Sequence, residues 1–262
     1  MRTSKFQDEP GRANILGTRI DLLDYEQTMQ RMEKTVAEQK KATIGFVNVY
    51  TIMQARRNKR IREAIENLTL SVPDGMPLVW LSKWTDTPLR SRVYGPDLFA
   101  HFCNRSQRGG QKHFFYGSSE EVLQTMQNNL KSKFPEMQIA GSFSPPFRPL
   151  TGGEESEIVE MINTSGADVL WICLGSPKQE RWMFDMRDKI DVPVMAAVGA
   201  AFAFHAGTVK QASQFWQDLG LEWLFRLIQE PRRLAKRYLI YNPLFILGVI
   251  KQALTGPSRR TV

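Results

Sequence analysis

Between residues 42 and 199 short apolar runs alternate with longer segments of helical periodicity, and nothing else in the chain narrows its fold so far. The runs cover 42–48, 70–73, 112–117, 137–143, 168–175 and 192–199. Apolar runs of this length, closed by turn residues, read as buried strands. The segments between them read as helices. One runs through 53–68, with Ile61, Ile65 and Leu68 on one face and basic residues outside. Others begin near Pro77, at Asp97 acting as a cap, at Ser118-Ser119-Glu120-Glu121, and over 153–165 and 178–190. A strand over 15–22 and a helix over 24–39 precede them. Regular alternation predicts an α/β fold with a doubly wound parallel sheet. From 215 to 254 the pattern is helical only. The expected division is a flexible N-terminus 1–14, a core 15–212, a helical appendage 213–254 and a flexible tail 255–262. A chain of 262 residues is long enough for one large domain with such an addition.

Parallel α/β sheets bind ligands beyond the C-terminal ends of their strands. That rule selects Asn48, Asp74-Gly75, Gly117-Ser118, Gly175-Ser176 and Gly199-Ala200, small or polar residues closing apolar strands. Asp74 at such an end can take a proton from a hydroxyl nucleophile; the same residue also suits a turn in which it bonds its own backbone. Gly175-Ser-Pro-Lys-Gln-Glu180 ends a strand and opens a helix. Its glycine permits close backbone approach, the helix start favours anions and Lys178 adds charge, although an ordinary strand-to-helix turn has the same outline. Neither GxxxxGK[ST] nor GxGxxG occurs, which leaves a nucleotide-cofactor oxidoreductase without motif support. Arg92 can clamp a diphosphate or stand as a surface arginine. Cys103 and Cys173 lack CxxC spacing and read as buried free thiols; His101, His113 and His205 show no metal-ligand spacing.

Charge is unevenly placed. The net +8 resides almost wholly in 231–262, which holds seven Lys or Arg and no acid, against 28 basic and 27 acidic residues before it. There Arg232, Arg233, Lys236 and Arg237 adjoin the apolar run 238–250. Clustered cations attract phosphate and apolar surface attracts lipid, so a greasy phosphorylated ligand suits both. A solvated basic face packed on the core is the plainer alternative. A near-neutral core with a lipid-suited tail speaks against nucleic acid. The run is too short to span a bilayer, and the polar N-terminus has no apolar segment of a signal peptide. The expected location is cytoplasmic, peripheral on the inner face of the plasma membrane.

Five segments together carry a resemblance: Pro73-Asp74-Gly75, Arg92-Val-Tyr-Gly-Pro-Asp97, Gly175 to Glu180, Ala206-Gly-Thr-Val-Lys210, and Gly220-Leu-Glu-Trp through Glu230-Pro-Arg-Arg233. In this order they resemble the WecG/TagA/CpsF glycosyltransferases, glycosyltransferase family 26, over about 15–254. The resemblance implies a Rossmann-like core whose helical appendage completes the active site and contacts the membrane. It implies an inverting, metal-independent hexosyltransferase without cofactor, of the N-acetylmannosaminyltransferase kind. Such an enzyme moves a sugar from a UDP-sugar to a polyprenyl-diphosphate-linked sugar in cell-surface polysaccharide synthesis. Self-association of the core also fits the family.

By resemblance Asp74 is the general base and Arg92 lies near the leaving diphosphate. Asn48, Gly75, Asp97, Gly117, Gly175, Lys178, Gln179, Glu180 and Gly199 are expected at the UDP-sugar. Arg226, Arg232, Arg233, Lys236 and Arg237 are expected at the acceptor diphosphate and membrane. Three positions depart from the family pattern: Phe46 replaces a usual Thr, Ala203 a usual Asp in Phe-Asp-Phe, and Ser213 a common Pro. Ala203 removes a carboxylate from the sugar pocket, which keeps a non-catalytic UDP-sugar-binding assembly subunit as the alternative class.

Overall fold

The computed structural model describes residues 10–255. An antiparallel hairpin, β1 (Arg12–Ile15) and β2 (Thr18–Asp21), opens the chain. Leu16 and Gly17 both have positive φ, 53° and 86°, as a two-residue hairpin turn of this hand needs. The single strand expected over 15–22 is therefore two, and Arg12 to Asn14 belong to β1 instead of a flexible terminus. Apolar alternation alone did not reveal the reversal, because Ile15 and Ile20 are both buried across the turn.

Six parallel strands follow: β3 (Ala42–Val47), β4 (Leu70–Pro73), β5 (Lys112–Gly117), β6 (Gln138–Phe143), β7 (Val169–Cys173) and β8 (Val194–Ala197). Their order is β4-β3-β8-β7-β5-β6. Side chains alternate between two cores, as the pleat requires. Leu170 and Ile172 pack with Val47, Ile52 and Met195 on one face, while Val169 and Trp171 pack with Phe99, Phe115 and Phe202 on the other. The one buried histidine of β5 is satisfied: Trp171 Nε1 donates to His113 Nδ1 at 2.9 Å and the Ser106 hydroxyl meets Nε2 at 2.7 Å. Burial holds His113 neutral, its pKa pushed down to about 3.

The helices are α1 (Tyr25–Ala37), α2 (Val49–Arg57), α3 (Lys59–Glu66), α4 (Met76–Ser82), α5 (Gly95–Gly109), α6 (Glu120–Lys133), α7 (Gly152–Thr164), α8 (Lys178–Met186) and α9 (Ala201–Ala206). The helix expected over 53–68 is broken at Asn58, which ends α2 and caps α3 by accepting from Ile61 N at 3.2 Å. Asp97 is not a cap. It lies in the first turn of α5, whose N-cap is Tyr94.

The appendage comprises α10 (Gln214–Asp218), α11 (Glu222–Gln229), α12 (Pro231–Ala235), a π-helical turn (Lys236–Ile240) and α13 (Tyr241–Thr255). α13 folds back on α2 and the opening hairpin. Tyr241 meets Tyr50 edge-on at 5.3 Å, Phe245 is buried, and Gln252 accepts from Leu16 N and donates to Asn14 O, each at 2.8 Å. Among the described residues no helix is long and apolar enough to cross a membrane.

Candidate active site

A cleft of about 740 Å³ lies beyond the C-terminal ends of β3, β4, β7 and β8. The core forms its floor and the appendage its roof. On the floor, Asn48 caps α2 by accepting from Thr51 N at 3.2 Å. That fixes its amide so that Nδ2 donates to Asp74 Oδ2 at 3.3 Å. Asp74 closes β4, its N–H held by Val47 O at 2.8 Å. Its other oxygen, Oδ1, is buried without a hydrogen-bond partner. Burial raises the Asp74 pKa to about 7; the Arg92 charge and the Asn48 bond offset part of the shift, while Glu222 adds to it. A carboxylate poised near neutrality with a free lone pair is suited to proton abstraction.

The turn after β7 supplies a second polar wall. Gln179 and Glu180 are 4% and 1% exposed. Gln179 Nε2 donates to Ala197 O at 3.0 Å, leaving its Oε1 without a partner; Glu180 Oε2 and Ser176 Oγ also lack one. Buried polar atoms left unpaired are costly, and all three belong to residues that line the cleft. Burial raises the Glu180 pKa.

The roof is cationic. Arg226, Arg233, Lys236 and Arg237 line the cleft. Arg237 donates to Asn48 Oδ1 at 3.4 Å and lies over the Tyr50 ring at 4.7 Å, while Arg226 lies over Phe204 at 5.6 Å. Neither guanidinium Nε is hydrogen-bonded, which leaves donors for an anion.

The expected site residues divide. Asn48, Asp74, Gly175, Gln179, Glu180, Gly199, Arg226, Arg233, Lys236 and Arg237 line the cleft. Gly75 and Arg92 line a narrower slot that joins it at Asp74. Asp97 lies outside both, accepting from Gln211 Nε2 at 2.9 Å. Lys178 and Arg232 are exposed and are not in the cleft lining. Gly117 is glycine for packing: a Cβ there would stand 2.3 Å from Cys173 O. Cys173, expected buried, is partly exposed on the cleft floor and donates to Gly199 O.

Arg92 is engaged differently from the expectation. It is 13% exposed and forms an ion pair with Glu222, and its guanidinium also donates to Gln217 Oε1 at 3.0 Å. Its carbon Cζ stacks 4.2 Å from the Tyr94 ring. Glu222 and Gln217, both in the appendage, were not singled out from the sequence. Glu222 sits within the quoted Gly-Leu-Glu-Trp segment, but its partner is 130 positions away. Phe46 and Ala203 both line the cleft. Among the described residues no group of three His, Cys, Asp or Glu converges on one point.

Similarity to known proteins follows the same outline. A 235-residue stretch is 29% identical to the N-acetylglucosaminyldiphosphoundecaprenol N-acetyl-beta-D-mannosaminyltransferase of Bacillus spizizenii, covering 88% of this chain and 89% of that one. The family model for the glycosyl transferase WecG/TagA/CpsF family matches residues 13–259, so hairpin, sheet, cleft and appendage fall within one match. Because that match spans most of the chain, this chain belongs to the WecG/TagA/CpsF family of glycosyl transferases.

Proposed function

We propose that the protein transfers a hexose of the N-acetylmannosamine type from a UDP-sugar to a polyprenyl-diphosphate-linked sugar, with inversion and without a metal, at the inner face of the plasma membrane. The observation that carries the proposal is Asp74: a buried carboxylate with an unpaired oxygen and a pKa near 7, facing four cations across a cleft. The relative's name, which couples a lipid diphosphate acceptor to an aminosugar, supports the choice of substrates.

Asp74 Oδ1 accepts the proton of an acceptor hydroxyl. The freed oxygen attacks the anomeric carbon from the face opposite the nucleotide. The bond to the diphosphate oxygen breaks and its electron pair leaves on UDP. Arg226, Arg233, Lys236 and Arg237 neutralise that developing charge, the role a divalent ion takes in other transferases. Gln179 and Ser176 bond the nucleotide, and Glu180 accepts from its ribose hydroxyls. Arg92 is held by Glu222 beside the base, where its charge favours the ionised form. Ala203 and Phe46 give the donor sugar an apolar wall.

The test mixes purified protein with a panel of UDP-sugars and a short-chain polyprenyl-diphosphate-linked sugar and reads released UDP. UDP is expected only when donor and acceptor are both present. Binding of UDP-sugar with no release from any donor would favour the non-catalytic alternative that Ala203 keeps open.

A further inference from the structure

Asp74 is reached from two sides. The large polar cleft meets a slot of about 100 Å³ at Asn48, Tyr50 and Asp74. The slot passes between Met76 and Pro77 on α4, Gly220 and Trp223 at the start of α11, and Tyr238 and Asn242 on the last two elements. These apolar and aromatic side chains form one part of its wall, and Arg92, Glu222, Arg226 and Arg237 form the rest.

The elements that bound the slot carry exposed apolar side chains. On the appendage side stand Leu239 and Ile240, with Ile246, Leu247 and Ile250 along α13. On the core side stand Trp80, 49% exposed, and Trp84, 76% exposed. Trp80 lies in α4, and Trp84 lies in the turn just beyond the helix end, where its N–H bonds Leu81 O. Gly220 joins the Trp80 side to the slot: a Cβ there would meet the Trp80 ring at 3.0 Å and Met76 at 3.2 Å. Phe215 and Leu219, just before it, are exposed as well. Lys83, between the tryptophans in sequence, and Arg90 are exposed, with the exposed Asp86 between the two cations in sequence. Tryptophan favours the boundary between lipid and water, and cations beside it favour anionic headgroups. A fluid surface can meet two apolar patches across an opening, whereas a rigid partner would have to fill it.

We propose that Trp80 and Trp84 form a second lipid-contacting patch, on the core, so that an anionic bilayer bridges the two patches and faces the slot. Resting on the function proposed above, the slot then admits the lipid-linked acceptor and the large cleft holds the soluble donor. The two substrates approach Asp74 from opposite sides. The membrane contact itself stands without that function.

The experiment uses the full chain with phosphatidylglycerol vesicles whose acyl chains are brominated, a contact quencher of tryptophan. Wild-type fluorescence is expected to be quenched, and Trp80→Phe/Trp84→Phe, conservative at exposed positions, to lose most of that quenching. Trp80→Ser/Trp84→Ser is expected to weaken vesicle partitioning by about tenfold. Quenching that is the same in wild type and the Phe variant overturns the proposal. So does an absence of quenching combined with self-association that the Ser variant abolishes, which would make the patch a contact between copies. Quenching lost as expected, with no UDP released from any donor, would leave the membrane face standing and remove the transferase reading.

Discussion

The floor and the roof of the cleft are built by different physics. The floor is the C-terminal end of β3, β4, β7 and β8, strands buried on both faces, and Asn48 and Asp74 are fixed there by backbone bonds and a helix cap. The roof is four short segments and the fifteen-residue α13, in which Leu234, Tyr241 and Phe245 are buried apolar anchors. It is held at the active centre by polar contacts, chiefly Glu222 to Arg92 and Arg237 to Asn48. Stability resides in one region and charge in the other. A fault in the floor should therefore disable chemistry in a folded protein, while a fault in the roof should alter ligand affinity and the docking of the appendage.

The sharpest way to break this division is Asp74→Asn. Loss of a general base lowers turnover by roughly 10²–10⁴-fold, with UDP binding expected to hold in a folded protein. Wild-type turnover should rise with pH through about 7 as Asp74 ionises. Stability has the opposite sign. A raised carboxyl pKa means the folded state holds the proton more tightly, so this group's contribution is full below the ordinary Asp range and is lost as pH climbs to about 7. The Asn variant should gain on wild type in melting temperature between pH 5 and pH 8.

Glu222→Ala comes next. Leaving Arg92 buried without its partner costs on the order of 3–5 kcal/mol. Limited proteolysis should then cut between 213 and 221 while the core fragment survives; equal resistance to wild type would show that the roof does not depend on the pair. Arg237→Ala removes a charge-assisted donor worth about 1.5–3 kcal/mol, so the Kd for UDP should rise roughly 10- to 100-fold with the melting temperature near wild type. The smallest effect belongs to the core. His113 is neutral when folded, with its pKa near 3, so its contribution falls as pH drops below the ordinary histidine range near 6.5. A His113→Gln variant should flatten the acid limb of the stability profile, read by chemical denaturation between pH 7 and pH 4.

The same contrast explains what could be read from the chain. Strands β3 to β8 were legible because buried parallel strands are short apolar runs, and their ends were legible because Asn48, Asp74 and Gly175 interrupt those runs. The break at Asn58 was not, since Ile61 and Ile65 continue the apolar face of α2 and only the capping bond marks the change. Gly117 stood at a strand end like the rest, yet its reason is a close approach to Cys173. The pairing of Arg92 with Glu222 was hidden because no local pattern joins residues so far apart.

The bond from Gln252 to Leu16 joins residues 236 positions apart. A chain made from its N-terminus must therefore hold its first hairpin and the α2 surface uncovered until nearly all of it has been synthesised. During translation the sheet can assemble while the roof does not yet exist, so Asp74 waits in an open floor without the cations above it. Competence arrives with α13, after the core strands, instead of growing with the core.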